Sequence, residues 1–338
     1  MALRRAVGVL WVLGYAAFWF GCRGGGPTPA PSAPAPIPEE IVSFHADYET
    51  CGTCHRTIYL QWEQSRHAQA WRSETFRVAS ANYTRTECLS CHAPDLILRT
   101  GLGNEPALRD EVREAGVTCI TCHQDPHADD WAMHGPYEVD SPGHDSIANP
   151  AYQTAEVCAS CHGGLAEFDQ YNSWKEGPYG QSEFPCQACH MEPRKGWLAD
   201  EYQEKPQRWY GDHSFPGAHV PEFVQMAAVL QARIEGNVLI AQVENQAGHL
   251  FPGGAHRTAV LRVFAREQLL GEERFSYERN NRIPSGQTVE RRFPLEGITG
   301  TIRVELRYHR VIVNASGDGL VEEPEGILIA ELTLERES

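Results

Sequence analysis

The chain has 338 residues, 11 cysteines and a net charge of −16, from 29 Lys and Arg against 45 Asp and Glu. Such a length leaves room for more than one domain, because single cores stop growing near this size. The acidic balance excludes a nucleic-acid grip, which needs a positive face, and 41% hydrophobic residues with 8 Trp, 12 Tyr and 12 Phe exclude a disordered chain.

The N-terminus reads MALRR and then an apolar run from Ala6 to Phe20. That is a charged region and a hydrophobic region of secretory length, shorter than an ordinary spanning helix. Cys22, directly after Gly21, resembles the point where a lipoprotein leader (1–21) is cut and the new terminal cysteine is acylated. Trp19 and Phe20 depart from the small or Leu-like residues usual there, so an uncleaved anchor stays open. Both readings tether the chain on the outer side of the inner membrane. Residues 22–42 hold the run GGGPTPAPSAPAPIP, which has nothing to bury and is expected to be an extended leash.

The other ten cysteines fall in five copies of C-x-x-C-H. They are Cys51, Cys54 and His55; Cys88, Cys91 and His92; Cys119, Cys122 and His123; Cys158, Cys161 and His162; and Cys186, Cys189 and His190. This is the attachment pattern of c-type haem: two thiols on one side of a turn reach the two vinyl groups, and the histidine meets the iron. Zinc sites would pair the C-x-x-C units, and five pair badly. Redox C-x-x-C motifs do not require a histidine after each. Five covalently bound haems c are therefore expected, with no disulfide.

From Cys51 to His190 there are 140 residues, too few to build an apolar core around each porphyrin. Residues 43–220 are expected to be a domain of short helices and loops whose core is the haems. The segment TIYLQWEQSRHAQAW after the first motif reads as helix, with Ile58, Trp62 and Ser65 on one face. From 221 to 338 the texture changes to alternation. In TIRVELRYH, Ile302, Val304, Leu306 and Tyr308 face one way and Arg303, Glu305, Arg307 and His309 the other, which puts His309 in solvent. GILIAELTLE repeats the pattern with Leu328, Ala330, Leu332 and Leu334, and TAVLRVFARE with Leu261 and Val263. An antiparallel β-sandwich of six to eight strands follows, so the fold class is α+β.

Ten histidines lie outside the motifs, whereas Met133, Met191 and Met226 are the only methionines after the first residue. Bis-histidine ligation is thus the default, with the low potentials it brings. The sequence resembles the multihaem c-type cytochromes that include the tetrahaem electron acceptor of hydroxylamine oxidoreductase. CGTCHRTIYLQWEQSRHAQA, GVTCITCHQDPH, PGHDSIANPAYQTAEVCASCH, NSWKEGPYGQSEFPCQACHMEP and DHSFPGAH carry the likeness, and NQAGHLFPGGAHR looks like the loop opening the sheet domain of many such proteins. The resemblance spans about residues 44–265. It implies distal iron ligands at His67, His127 and His144, at one or both of His213 and His219, and with His249 in reserve. His45, His134 and His256 stay open.

The leading expectation is a membrane-tethered electron carrier whose acidic surface, made more so by haem propionates, docks redox proteins through their basic patches. The rivals are an oxidoreductase acting on a small nitrogen or sulfur compound at one open haem, and a subunit of an extracellular cytochrome assembly. No lysine replaces the histidine of any motif.

Overall fold

The computed structural model describes residues 45–128, 132–165 and 168–337. The leader, Cys22 and the leash lie outside them. The first part is built from helices of four to eight residues, such as Cys51–Cys54, Arg56–Glu63 and Glu156–His162. Helices this short are not stable alone and depend on what they pack against. Their own apolar cluster is small: Tyr48, Trp62, Leu96, Ala115 and Ile120, with Tyr59, Ala68 and Val112 at its margin. Two short strand pairs are interspersed. β1 (Ala132–Gly135) runs parallel to β2 (Asp145–Ala148), and β3 (Pro193–Gly196) antiparallel to β4 (Arg208–Gly211).

The second part holds eight strands among the described residues: β5 (Ala228–Glu235), β6 (Val238–Asn245), β7 (Arg257–Ala265), β8 (Gln268–Ser276), β9 (Thr288–Pro294), β10 (Gly300–Val313), β11 (Leu320–Glu322) and β12 (Ile327–Arg336). One antiparallel sheet has the order β5-β6-β9; the other has β11-β10-β7-β8, with β12 also on β10. Together they make a half-barrel around one core. Leu230, Leu239, Ala241 and Val243 of the first sheet meet Leu261, Val263, Phe275, Ile302, Val304 and Leu306 of the second. The period-two reading of β7 and β10 therefore holds on the inner face.

Three expectations change. The helix after the first motif stops at Glu63 rather than continuing to Trp71. The chain turns there, around the buried Ser65, whose hydroxyl accepts from the Ala68 N–H at 3.3 Å. In β12 the register against β10 slips between Leu306 and Arg307, so the alternation breaks phase. Ile327 and Ile329 pack on the core, where simple alternation had placed Leu328.

His309 is not in solvent; it is 1% exposed. Its Nδ1–H donates to the Glu323 carbonyl at 2.8 Å, and Gly326 lies so close that a Cβ there would sit 2.8 Å from Nδ1. The segment after β11 folds over this end of β10, which no pattern within β10 can reveal. Its neighbour Glu305 is equally covered at 4% exposure, accepting from Arg303 Nη1 at 2.9 Å and Arg307 Nε at 3.2 Å.

Candidate functional site

Each C-x-x-C-H motif forms a single helical turn, which is why the two thiols and the imidazole converge. The third is the best defined. Thr118 caps the helix Cys119–His123, its hydroxyl accepting from the Thr121 N–H at 3.4 Å. All five motifs line one continuous cavity of about 2650 Å³ between the helices and the sheet domain. Thiols of different motifs also touch. Cys51 hydrogen-bonds Cys119, Cys91 bonds Cys161, and Cys158 bonds Cys186. Motif one thus neighbours three, two neighbours four, and four neighbours five.

The motif histidines are fixed by their far nitrogen. Nδ1–H donates to a backbone carbonyl in His55 (Leu198, 2.5 Å), His92 (Ala70, 2.8 Å), His123 (His134, 2.6 Å) and His190 (Pro216, 2.7 Å). Such a bond sets the tautomer, leaving Nε2 with its lone pair toward the cavity. Some of the acceptors come from far along the chain. Asp200, which caps the helix Arg56–Glu63 by accepting from Thr57 N–H and hydroxyl at 2.8 Å each, also ties the Leu198 segment in place.

Opposite these rings stand other histidines. Ring centroids are 6.1 Å apart in His55–His144, 6.3 Å in His67–His162, 6.3 Å in His123–His213 and 6.5 Å in His190–His249. Two metal–nitrogen bonds of about 2 Å each, plus the half-widths of two rings, span such a gap. The facing rings are anchored the same way: Nδ1–H of His144 donates to Asp145 O at 2.9 Å, His213 to Gly211 O at 2.7 Å and His249 to Leu250 O at 3.0 Å. Burial, reinforced by the neighbouring histidines, pushes the pKa of His67 down to about 3 and those of His213 and His249 to about 4. These imidazoles are neutral at physiological pH, as a metal ligand must be. The donor set and its spacing fit haem c.

His249 reaches the haem-binding half from the sheet domain. Asn245, fully buried at the end of β6, gives its Nδ2 to the carbonyls of His249 and Ile283, both at 2.8 Å, while its Oδ1 accepts from Ala247 N–H at 2.7 Å. That side chain shapes the loop that presents His249 to His190.

His67 depends on a glycine. Its carbonyl accepts from the Val117 N–H at 2.9 Å, and Gly116, at φ +68°, lies against the same turn. A Cβ on Gly116 would sit 2.5 Å from the His67 carbonyl oxygen and 3.0 Å from that of Ala68. Gly116→Ala is expected to destabilise the protein by about 1–3 kcal/mol through its left-handed backbone alone. Because the clash is with backbone, it should also displace His67. Thermal unfolding and the near-infrared ligand bands of the ferric protein check both effects; an unchanged melt would remove the argument.

Two expected positions stand elsewhere. His127 is exposed, its N–H donating to Asp125 Oδ1 at 2.8 Å, and it faces no motif histidine. His219 is half-buried and joins none of the ring pairs. Phe76 stacks on His92 at 3.6 Å with the rings 3° from parallel. Residues missed in the sequence are those acting through the backbone. His134 supplies the carbonyl for His123 while its Nε2 meets Asp125 at 3.0 Å. Arg109, 2% exposed, donates to the carbonyls of Pro94, Val112 and Gly116 and knits the loop that carries Gly116.

Residues 50–124, which contain the first three motifs, match the family model described as cytochrome c554 and c-prime. No curated protein matches the chain. Among solved structures, the penta-heme cytochrome c552 from Thermochromatium tepidum is similar in fold, with a TM-score of 0.58 and 19% identity over 85% of this chain and 98% of that one. A hypothetical protein from Pyrococcus horikoshii OT3 (16% identity) and an oxidised superoxide reductase (14%) each align to 32% of this chain and 88% of their own, at TM-scores of 0.19, too low to draw on.

Proposed function

We propose that this multihaem c-type cytochrome binds five haems, four of them between paired imidazoles, and passes electrons through them outside the cytoplasm. The observation that carries the reading is the set of four histidine pairs at 6.1–6.5 Å, each containing one motif histidine. Haem supplies reversible one-electron chemistry; the chain's part is spacing, ligation and dielectric. Neutral imidazoles held through Nδ1 favour low potentials. The thiol contacts support two stretches of a route, one from the first motif to the third and one from the second through the fourth to the fifth. Docking to basic redox partners fits the net charge of −16. Tethering through the leader or Cys22 rests on the N-terminal sequence, and among the described residues no helix is long and apolar enough to cross a membrane.

One observation favours a second reading. The ring stacked on His92 is that of Phe76 rather than an imidazole; a second haem with an exchangeable position there could react with a small nitrogen or sulfur compound. Ferric EPR tests both: four low-spin haems and one high-spin signal that cyanide or nitrite converts are expected. Five low-spin signals indifferent to cyanide would leave a pure carrier. Several high-spin signals in the untreated protein would overturn the pairing itself.

A further inference from the structure

His144 is presented differently from the other histidines that face a motif. His67, His213 and His249 each have a backbone group tied down directly, by Val117 N–H, Gln61 Oε1 and Asn245 Nδ2 respectively. The chain instead leaves β1 at Gly135, returns beside it in β2 at Asp145, and carries His144 at the end of that connection. From Tyr137 to Gly143 the loop takes part in none of the backbone-to-backbone hydrogen bonds of the described residues. Backbone groups without a protein partner turn to water, so side chains must fix such a loop. Among the described residues its polar links beyond β2 all reach one hairpin. Tyr137 donates its hydroxyl to the Trp209 carbonyl in β4 at 2.7 Å. The Arg208 guanidinium lies over the Tyr137 ring, 5.2 Å from its centroid. Asp140 accepts from Lys205 Nζ at 3.1 Å, but these side chains are 96% and 46% exposed, and such a pair contributes little. The Tyr137 hydroxyl is therefore the directed contact. The same hairpin serves the opposite side of the site. Leu198, two residues beyond β3, gives the carbonyl that takes the His55 Nδ1–H at 2.5 Å. Lys195 of β3 and Trp209 of β4 are cross-strand partners, so both attachments hang from one short ladder.

We propose that Tyr137 is a positioning residue for the first haem: its bond to Trp209 latches the loop that presents His144, and loosening the latch opens that iron to small ligands. The inference rests on the pairing of His55 with His144 proposed above. One hairpin then governs both axial positions, Leu198 fixing the ring of His55 and Trp209 the reach of His144. A compact ligand such as cyanide takes the place of one imidazole nitrogen on ferric iron, and no electron moves.

Four holoproteins test it: the parent, Y137F, H144A and the double variant Y137F/H144A. Y137F keeps the ring beneath Arg208 and removes only the hydroxyl. H144A is expected to give a new high-spin ferric EPR signal that imidazole in the buffer abolishes, which marks the first haem. Loss of one hydrogen bond raises the share of time the loop is released by about three- to tenfold. A ligand that binds only the released form gains by the same factor. Cyanide binding at the first haem of Y137F is therefore expected to be about three- to tenfold faster than in the parent, with the untreated spectrum still low-spin there. Any cyanide response of the other haems is common to all four proteins and cancels. In the H144A background Y137F should change nothing, because no loop ligand remains to be released. An effect of equal size in both backgrounds would mark a general loosening and overturn the proposal, as would cyanide kinetics in Y137F that match the parent's. Those two results leave the His55–His144 pair standing. No new high-spin signal in H144A would instead overturn the pair, and this proposal with it.

Discussion

Chain produced without haem attachment is expected to keep a folded sheet domain and to lose its ordered structure from Cys51 to about Phe215. The two halves differ in what holds them. The sheets share a core of 18 buried residues, most of them fully covered, whereas the helical half has a cluster of five. Its helices run to eight residues at most, well below the length that survives alone. Between them lies the cavity of about 2650 Å³. Its walls are largely apolar side chains with little else to pack on, so without haem they are expected to collapse or to be wetted. Amide hydrogen exchange on chain made without the cytochrome maturation machinery reads the outcome by residue. Protection confined to β5–β12 is the expected pattern, and native-like protection around Trp62 and Ile120 would refute it.

His249→Met is expected to raise one midpoint potential and leave four in place. His249 is the one paired imidazole that comes from the sheet domain, facing His190 at 6.5 Å with the rings 16° from parallel. Replacing a nitrogen ligand by a thioether favours ferrous iron, and axial ligands as a class command a span of roughly 0.8 V, so a rise on the order of a tenth of a volt or more is expected. The fold should tolerate the change, because the loop is shaped by Asn245 and the His249 backbone carbonyl, which the substitution keeps. His249→Ala is the companion variant, expected to give a new high-spin signal that imidazole in the buffer reverses. Five unchanged midpoints in the Met variant and no high-spin signal in the Ala variant would show that His249 is not a ligand.

What could be read in advance follows the range of the interaction. The five motifs are legible because covalent attachment demands a fixed spacing within five residues, and no tertiary context changes it. The alternation of β7 and β10 is legible for a similar reason: a sheet with one buried face writes its period into adjacent residues. The pairing of rings is not local. His67 and His127 both follow a motif closely, yet the turn after Glu63 carries His67 to His162 while the Asp125 contact leaves His127 in solvent. His213 and His219 lie six residues apart in one loop, and only the position of the third motif decides between them. The order in which the motifs neighbour one another is equally silent, since one meets three and two meets four across intervening chain. Backbone acceptors leave no trace at all: nothing about His134 or Leu198 as residue types marks the carbonyl that orients a ring. His309 shows the complementary failure, where a local pattern was clear and a distant segment covered it.

The histidine pairs have a consequence for how the protein comes into being. Every pair joins a motif to a residue well removed from it: His55 to His144, His67 to His162, His123 to His213 and His190 to His249. A chain made from its N-terminus therefore presents one member of each pair long before the other. His55 waits for His144, His67 for the fourth motif, and His190 for a loop within the sheet domain. Contacts of such sequence separation form late, after the entropy of closing long loops has been met. The last site can close only once the loop that carries His249 is present, so a chain ending before the sheet domain leaves His190 unpaired.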